Sequence, residues 1–450
     1  MTQKTASPGH LVLSILQFFQ AHGLPYVYLR NHEGLPDRVG QDVDLLIPEG
    51  QTRRAVDLIH HKARELGWQI VRWVEFSPLS VFLCPTEGEE VLHIDLFERL
   101  EWHFVPIAEP QKILQARQWN GHVFTCPPAV EAGLNLVTRL IYAGVIREKH
   151  RVLWEATERL VGKPAMRSVL DDWFGRRVAG GLWALLSRRD WDAISRLRGT
   201  LRWVLVAQAA TRDPVGLLRA AGRYGRRSWV RLLRPPGPFL VFEGADGSGK
   251  SRAISELLPF LTRLTGKTNT AVFAWKPWPG HFRKAGDSSS PALPRNPRAL
   301  PPRNPFLGFL YLGYHWITLG LGCLAWLRPI RAMNRAVVGD RFAYDIFADP
   351  ERLRLRLPDL VLWAAARSVP GPDRVFCLTT DPAVIRQRKQ ELAPEEIERL
   401  QSRLRRIAGR DDRFIFLDAG LPPHEIDKAI RRSVLTWAAA SFALQRRQNP

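Results

Sequence analysis

The chain has 450 residues, 45% of them hydrophobic and 24% charged, which is the composition of a folded globular protein and excludes disorder over most of its length. That length predicts two or three domains. Lysine and arginine outnumber aspartate and glutamate by 65 to 44, and the net charge of +21 favours anionic partners: nucleotides or other small phosphorylated substrates, nucleic acid, or an acidic membrane surface. The first predicted element is an amphipathic helix over residues 9–20, whose apolar run is shorter than that of a signal peptide.

Helices and strands alternate through the first part of the chain, which predicts an α+β domain over residues 1–126. The predicted strands and the helix between them follow in the order "YVYLR", "DVDLLIP", "TRRAVDLIHHKARELG", "QIVRWVEF", "SVFLCP" and "VLHIDLF".

Three aspartates are the candidate metal ligands of this domain. Asp42 and Asp44 lie two apart on one predicted strand, so both point to the same face, and Asp95 lies on a later strand. Carboxylates that meet at one point repel each other unless cations lie among them. The stretch "YLRN…GQDVDLLI" resembles nucleotidyltransferases of the polymerase-β type, and the resemblance implies that these residues hold Mg²⁺. The family's Gly-Ser motif is absent, with "LRNHEG" in its place, so the alternative is a degenerate domain whose aspartates bind metal weakly or cap a loop.

A helical region is predicted over residues 127–233, followed by the linker "RPPGP" at 234–238. Near its end, arginines from Arg219 to Arg234 surround Tyr224 and Trp229. This pattern is typical of a solvated helix face with aromatic anchors, and it is also compatible with binding of nucleic acid or anionic lipid.

After the linker, strands and helices alternate again, which predicts an α/β domain over residues 239–450 with a parallel sheet and helices on both faces. The stretch "VFEGADGSGKS" fits the phosphate-binding pattern G-x-x-x-x-G-K-[ST], between an apolar strand and an amphipathic helix. Glycines let backbone N–H groups approach a triphosphate closely, and the helix N-terminus favours the anion. The predicted ATP-binding residues are Gly244, Asp246, Gly247, Ser248, Gly249, Lys250 and Ser251, with Ser251 as a ligand of Mg²⁺.

This loop and the landmarks after it resemble thymidylate kinases. "WKPWPG" places Lys276 where the family has an arginine, and "GDRFAYD" supplies Asp340, Arg341 and Phe342 where the family has Asp-Arg-Tyr. "TTDPAVIRQRK" places Arg388 at the position of the lid arginine. The resemblance covers residues 238–445, and parts of this stretch also resemble a divergent group that accompanies enzymes of surface-polysaccharide assembly.

The resemblance implies a role for each matched residue. Lys250, Arg341 and the lid cations Arg386, Arg388 and Lys389 neutralise charge during phosphoryl transfer. Asp340 holds Mg²⁺ through water or orients the acceptor. Lys276 and Phe342 contact the substrate. The alternatives are a structural ion pair for Asp340 and Arg341, and a solvated helix face for the lid cations.

A kinase for a nucleoside monophosphate such as dTMP is therefore the first hypothesis. A kinase for a sugar or polyol phosphate, coupled to the N-terminal domain, and a non-catalytic nucleotide-binding regulator at a membrane surface are the alternatives. The resemblance does not specify the acceptor, because the family's substrate helix carries an arginine, whereas residues 306–327 offer only His315, Tyr311 and Tyr314.

The same stretch, 306–327, lacks Asp, Glu, Lys and Arg and is long enough to cross a bilayer. We expect it to form a buried helix that covers the sheet. An in-plane contact with a membrane is the alternative, because Arg303 and Arg328 flank it. The four cysteines lie far apart and are expected to be reduced and buried, which is typical of a cytosolic protein.

Overall fold

The computed structural model describes residues 5–40, 42–267, 270–283, 301–389 and 392–448, with side chains up to residue 443. The composition of residues 286–305, rich in proline, serine and arginine, predicts a loop, and most of this stretch lies outside the described residues. The chain is a mixed α/β protein that divides into two compact units, one of residues up to Arg227 together with those from Ala439, the other Ser228–Ala438.

The first unit contains nine of the described strands and most of the helices before the linker. Its strands are β1 Val27–Tyr28, β2 Val43–Leu46, β3 Trp68–Glu75, β4 Leu79–Pro85, β5 Leu92–Phe97, β6 Leu100–Trp102, β7 Val105–Ala108, β8 Gln118–Trp119 and β9 Phe124–Thr125. Its helices are α1 Pro8–Ala21, α2 Thr52–Glu65, α3 Pro110–Gln115, α4 Pro128–Ala143, α5 Glu148–Val161, α6 Lys163–Phe174, α7 Arg176–Arg188, α8 Trp191–Arg196 and α9 Arg198–Arg212, followed by α10 Pro214–Leu233 at the boundary.

A seven-stranded mixed sheet runs in the order β3-β4-β5-β2-β1-β9-β8, and β6 and β7 form a separate hairpin. The pairs β2–β5 and β1–β9 are parallel, and the other pairs are antiparallel. One core cluster lies between this sheet and helices α1 and α2, and a second joins the β6–β7 hairpin to helices α4–α9. The helices after residue 127 thus share a core with strands of the predicted N-terminal domain.

Helix α1 confirms the predicted amphipathic helix at the start of the chain. Ser7 caps it by accepting a hydrogen bond from the His10 backbone N–H at 3.3 Å, and Pro8 occupies the first turn, where a missing N–H costs nothing. The residues Leu11, Ile15 and Phe19 recur at helical spacing and are fully buried.

The second unit contains the remaining strands. They are β10 Phe239–Glu243, β11 Ala271–Ala274, β12 Phe282–Arg283, β13 Val337–Asp340, β14 Arg374–Thr379 and β15 Phe414–Asp418. The helices are α11 Lys250–Thr265, α12 Pro305–Gly322, α13 Arg328–Ala332, α14 Asp345–Ala348, α15 Asp359–Ser368, α16 Pro382–Arg388, α17 Pro394–Ala408 and α18 Pro423–Gln448, the last of which continues past residue 438.

The sheet of the second unit runs β12-β11-β13-β10-β14-β15, and all its pairs are parallel except that of the edge strand β12. The central strand β10 is buried along its whole length. Its residues Phe239 and Val241 belong to one core cluster, while Leu240 and Phe242 face the opposite side and are equally buried. Both faces of this sheet are therefore covered, and the carboxyl ends of β10, β13 and β14 meet at one edge, where ligands bind in parallel sheets.

The expectation of a buried helix over residues 306–327 is wrong in part. Helix α12 continues through a π-helical turn, Cys323–Leu327, into α13, and this Pro305–Ala332 segment is long and apolar enough to cross a membrane. Only one side of this segment packs in the core, and 33% of its most apolar 18-residue stretch is buried. The opposite side is exposed to solvent. All four cysteines are buried and unpaired, as predicted.

Candidate functional site: a glycine loop and its ion-pair network

Residues 244–249 form the turn between β10 and α11. Gly244, Gly247 and Gly249 have φ angles of 139°, 94° and 91°, a region that residues with a side chain rarely adopt. A Cβ atom at Gly244 would lie 2.5 Å from the carbonyl oxygen of Leu378 on β14. The glycines therefore allow a conformation and a close backbone approach that other residues at these positions would prevent.

Lys250 begins α11, and its side chain is buried against the loop. Its Nζ donates hydrogen bonds to the carbonyl oxygens of Gly244 and Ala245, both at 2.8 Å, and lies 3.7 Å from a carboxylate oxygen of Asp246. Burial, followed by the positive charge of Arg341, lowers the pKa of Lys250 to about 8. The ammonium group is thus held in the loop mainly by neutral carbonyls, and an anion in the loop would stabilise its charged form.

Ser248 adds a second donor to the loop. It is fully buried, and its hydroxyl has no hydrogen-bond partner among the described residues. A buried hydroxyl without a partner costs about 1–3 kcal/mol, a cost that a hydrogen bond to an oxygen of a bound anion would remove. A phosphate fits this donor set, which also includes Lys250 and the N-terminus of α11. The Ser251 side chain is exposed one residue further along the helix, where a metal ion bound beside a phosphate could reach it.

Asp246 ties the loop to two arginines. Its carboxylate accepts a hydrogen bond from Arg341 Nη2 at 2.9 Å and lies 3.5 Å from Arg352 Nη1. Burial would raise the pKa of Asp246, but Arg341, Lys250 and Arg352 lower it well below its usual range. The carboxylate is therefore ionised at every physiological pH and fixes the loop to the residues after β13.

Arg341 is the buried centre of this network. Its Nη1 donates hydrogen bonds to both carboxylate oxygens of Asp345, at 3.0 and 3.3 Å. Its backbone N–H donates to the carbonyl oxygen of Phe242 at 2.9 Å. Its φ of 70° places the backbone in the left-handed region, directly after Asp340 at the end of β13. The predicted pair Asp340–Arg341 is thus adjacent to the loop, with the guanidinium bound to the two carboxylates of Asp246 and Asp345.

Glu243, the last residue of β10, was missed by sequence reasoning. It is fully buried, and one of its carboxyl oxygens accepts a hydrogen bond from the Phe342 backbone N–H at 3.0 Å. Burial and the nearby Asp345 raise the pKa of Glu243 well above its usual value. Its surroundings therefore favour the neutral form, in which a carboxyl group can donate a hydrogen bond. The signal in the sequence is a glutamate that ends an otherwise apolar strand, "FLVFE".

The structure corrects the expectation that Phe342 contacts a substrate. Its side chain is completely buried and packs edge-on against Phe239 at 5.3 Å and Phe273 at 6.2 Å, measured between ring centroids. The family has a tyrosine here, whereas phenylalanine lacks the hydroxyl that would favour a polar surface. Phe342 is a core residue.

Lys276, by contrast, lies in an aromatic environment beside α12. Its Nζ is 4.9 Å from the Trp275 ring and 4.6 Å from the Tyr314 ring, and no carboxylate of the described residues is within ion-pair distance. Burial lowers the pKa of Lys276 to about 8. Such a cation, held by ring faces alone, is available to an anionic ligand.

His315 lies next to this lysine on the inner side of α12. Its ring packs against Trp275 and Tyr311, with centroid distances of 4.8 and 4.2 Å, and Arg303 stacks on Tyr311 at 3.8 Å. Burial, with the charges of Lys276 and Arg303, lowers the pKa of His315 to about 3. The imidazole is neutral, and neither ring nitrogen has a partner in the described part of the chain.

The three predicted lid cations lie in different surroundings. Arg388, the last residue of α16, donates to the carbonyl oxygen of Ala419 at 3.1 Å, and Arg386 is exposed. Lys389 is the nearest to the loop, since a Cβ added at Gly247 would lie 3.0 Å from the Lys389 Cβ. Arg388, the residue at the predicted lid position, is thus bound to the backbone directly after β15.

In the first unit, Asp44 on β2 and Asp95 on β5 are aligned partners in a parallel pair, as the sequence predicted for neighbouring strands. Asp44 is fully buried and forms an ion pair with Arg30. Burial raises the pKa of Asp44, and Arg30 opposes that shift. Ser80 on β4 donates a hydrogen bond to Asp95 at 2.5 Å.

His93 lies between the other two carboxylates. Its Nδ1 is 3.1 Å from Asp42, and its Nε2 is 2.9 Å from Asp95, although the second contact is not aligned as a hydrogen bond. Burial opposes protonation, but the two carboxylates raise the pKa of His93 to about 9. Arg30 and His93 thus supply two positive charges where two metal ions were expected.

The three aspartates have the oxygen ligands that Mg²⁺ prefers, but internal cations already compensate them. Among the described residues, one group has potential metal-ligand atoms within 4.8 Å of one another, namely His32, Glu33 and Glu131. The three aspartates do not form such a group. Arg30 occupies one carboxylate oxygen of Asp44, Oδ2, whereas the other, Oδ1, is buried without a hydrogen-bond partner in the described residues.

Replacing Arg30 by methionine tests this arrangement. We expect Arg30→Met to destabilise the metal-free protein by about 3–5 kcal/mol, because Asp44 would be left buried without its partner. We expect Mn²⁺ to restore part of this loss, as measured by thermal unfolding with and without the ion. Lys112→Met, which removes the exposed pair with Glu109, is the control and should change little. An Arg30→Met protein as stable as the parent would show that the ion pair with Arg30 does not stabilise the buried Asp44.

Comparison with protein-family models gives no match for this chain, and comparison with curated proteins gives none. The evidence for a function therefore consists of the chain's own residues and their geometry.

Proposed function

We propose that the second unit is a P-loop kinase that transfers the γ-phosphoryl group of ATP to a small phosphorylated acceptor, with a nucleoside monophosphate as the first candidate. The observation that carries the proposal is the glycine loop, in which the Lys250 ammonium and the unpartnered Ser248 hydroxyl face a turn of three left-handed glycines. Strand, loop and helix follow in the order that phosphate binding requires.

Lys250 is the residue that binds and neutralises the transferred group in this proposal. ATP supplies the phosphoryl group, and Ser251 and Asp340 would hold Mg²⁺ beside it. Arg341 acts as a positioning residue, because both ends of its guanidinium are occupied by Asp246 and Asp345. The further positive charge that phosphoryl transfer needs comes from Lys389, which lies beside Gly247.

Lys276 is the residue that we assign to the acceptor. Its side chain is buried among aromatic rings without a carboxylate partner in the described residues, so an acceptor phosphate would satisfy it. The rings of Tyr314 and Trp275 around it favour an acceptor with a flat or apolar part next to its phosphate. A nucleoside monophosphate meets this requirement better than a polyol phosphate does.

The pH dependence of acceptor use tests the role of Lys276. Only the charged ammonium attracts a phosphate, and burial causes this charge to be lost as the pH rises through about 8. With ATP saturating, we expect kcat/KM for the acceptor to fall above that pH. Lys276→Arg should abolish this alkaline decline, because arginine stays charged. An identical decline in both proteins would assign it to another group.

An acceptor panel tests the proposal as a whole. We expect the purified chain to bind ATP in a magnesium-dependent manner and to release ADP when supplied with one of several nucleoside monophosphates, dTMP among them. Turnover with a sugar or polyol phosphate alone would favour the alternative kinase. Magnesium-dependent binding of ATP without turnover on any acceptor would favour a non-catalytic regulator, and absence of binding would refute the P-loop assignment.

A further inference from the structure

We propose that the outer face of α12 docks flat on an anionic membrane surface. The outer face consists of apolar residues that point away from the core, namely Phe306, Leu307, Phe309, Leu310, Trp316, Ile317, Leu321, Leu324 and Trp326. This inference does not depend on the kinase activity, since it rests on a different surface of the second unit.

The outer face is unusual for the surface of a soluble domain. Phe306 is 71% exposed, Phe309 60% and Leu310 54%, and similar exposures continue over about five turns of helix. Single exposed apolar residues are common, whereas a continuous face of this length marks an interaction site. Helix α15 packs beside α12 through the Trp316–Ser368 hydrogen bond of 2.7 Å and adds the exposed Trp363.

The helix cannot cross a bilayer while the unit stays folded. Its inner side belongs to the core of the second unit through Leu312, Leu319, Cys323 and Leu327, all of them buried. Insertion across the membrane would expose this core. A helix with one side in a protein core and the other apolar side in water can instead lie in the plane of the membrane, with its outer side chains among the lipid headgroups and upper acyl chains.

The charges around the outer face favour an anionic lipid surface over a second copy of the chain. Residues 301–339 contain no aspartate or glutamate and four arginines, of which Arg331 is paired with Asp373, and the chain carries a net charge of +21. Arg328 follows the last apolar turn and is partly exposed. Such a surface repels its own copy but is attracted by acidic headgroups. Trp316 and Trp326 on the outer face are of a residue type enriched at membrane interfaces.

Flotation with lipid vesicles tests the proposal on the full chain. We expect the protein to float with phosphatidylcholine vesicles that contain about 30% phosphatidylglycerol, and to bind pure phosphatidylcholine far more weakly. Leu321→Glu should reduce partitioning about tenfold or more, because it replaces an inserted apolar side chain by a charge. The matched control is Leu160→Glu on α5, where the leucine is 75% exposed, and this change should leave partitioning unaltered. Thermal unfolding and circular dichroism of both variants check that they stay folded.

Three results would overturn the proposal. The protein could stay in solution with both vesicle types. Leu321→Glu and Leu160→Glu could bind vesicles equally well, which would move the contact to another basic surface such as that around Tyr224. The parent could sediment as a dimer that Leu321→Glu dissociates, which would assign the outer face to a second copy. None of these results bears on phosphoryl transfer, which the acceptor panel tests separately.

Discussion

Replacing Arg341 by methionine is expected to destabilise the second unit by about 3–5 kcal/mol, because a buried guanidinium is removed from between two carboxylates. Asp345 would be left buried without the cation that donates to both of its oxygens, next to the buried Glu243. Asp246 would keep only the longer contacts to Lys250 and Arg352, at 3.7 and 3.5 Å. The measurement is urea or thermal unfolding followed by circular dichroism.

Two comparisons make this prediction specific to the network. Arg399→Met removes an exposed ion pair with Glu351 and should cost about 1 kcal/mol or less. Adding Asp345→Asn to Arg341→Met should recover part of the loss, because the uncompensated charge is then removed as well. If Arg341→Met and Arg399→Met had equal effects, the buried network would not stabilise the unit.

The glycine loop was predictable because its chemistry is local. Strand, turn and helix are consecutive in the chain, and each glycine from Gly244 to Gly249 is required by its own backbone angle. The parallel pairing of the strands in the second unit followed from the alternation of strands and helices, since a helical crossover lets the next strand run in the same direction. These features depend on residues that are close together in sequence.

The ion-pair network was not predictable to the same extent, because its members are distant in sequence. Asp246 and Arg341 are 95 residues apart, and nothing local indicates that they pair. Phe342 was assigned to the substrate by its motif position, but whether an aromatic side chain faces a ligand or the core depends on its neighbours, here Phe239 and Phe273.

Helix α12 illustrates a different limit of sequence reasoning. Its composition is apolar all around, which is typical of a buried or membrane-spanning helix. Composition alone does not specify how many sides of a helix are covered by other elements. In this fold only the side that carries Leu312 and Leu319 packs in the core of the second unit. In the first unit, Arg30 and His93 were likewise missed, because the strand pattern predicts where the aspartates lie but not which cations reach them.

Replacing Lys250 by alanine is expected to reduce kcat/KM for phosphoryl transfer by about a hundredfold or more, because it removes the ammonium group from the phosphate loop. The conformation of the loop should not change. Lys250 donates to the neutral carbonyls of Gly244 and Ala245, and Asp246 keeps its hydrogen bond to Arg341. Magnesium-dependent ATP affinity should fall with activity, as measured by calorimetry on the same preparation.

The matched control for this change is Arg263→Ala, which removes an exposed cation from the other end of α11. It lowers the net charge by the same amount, so a general loss of attraction for the nucleotide would appear in both variants. We expect only Lys250→Ala to lose affinity and turnover while its unfolding temperature stays close to that of the parent. Full ATP affinity in Lys250→Ala would mean that this ammonium group does not contact the phosphates, and the proposed kinase would lose its central residue.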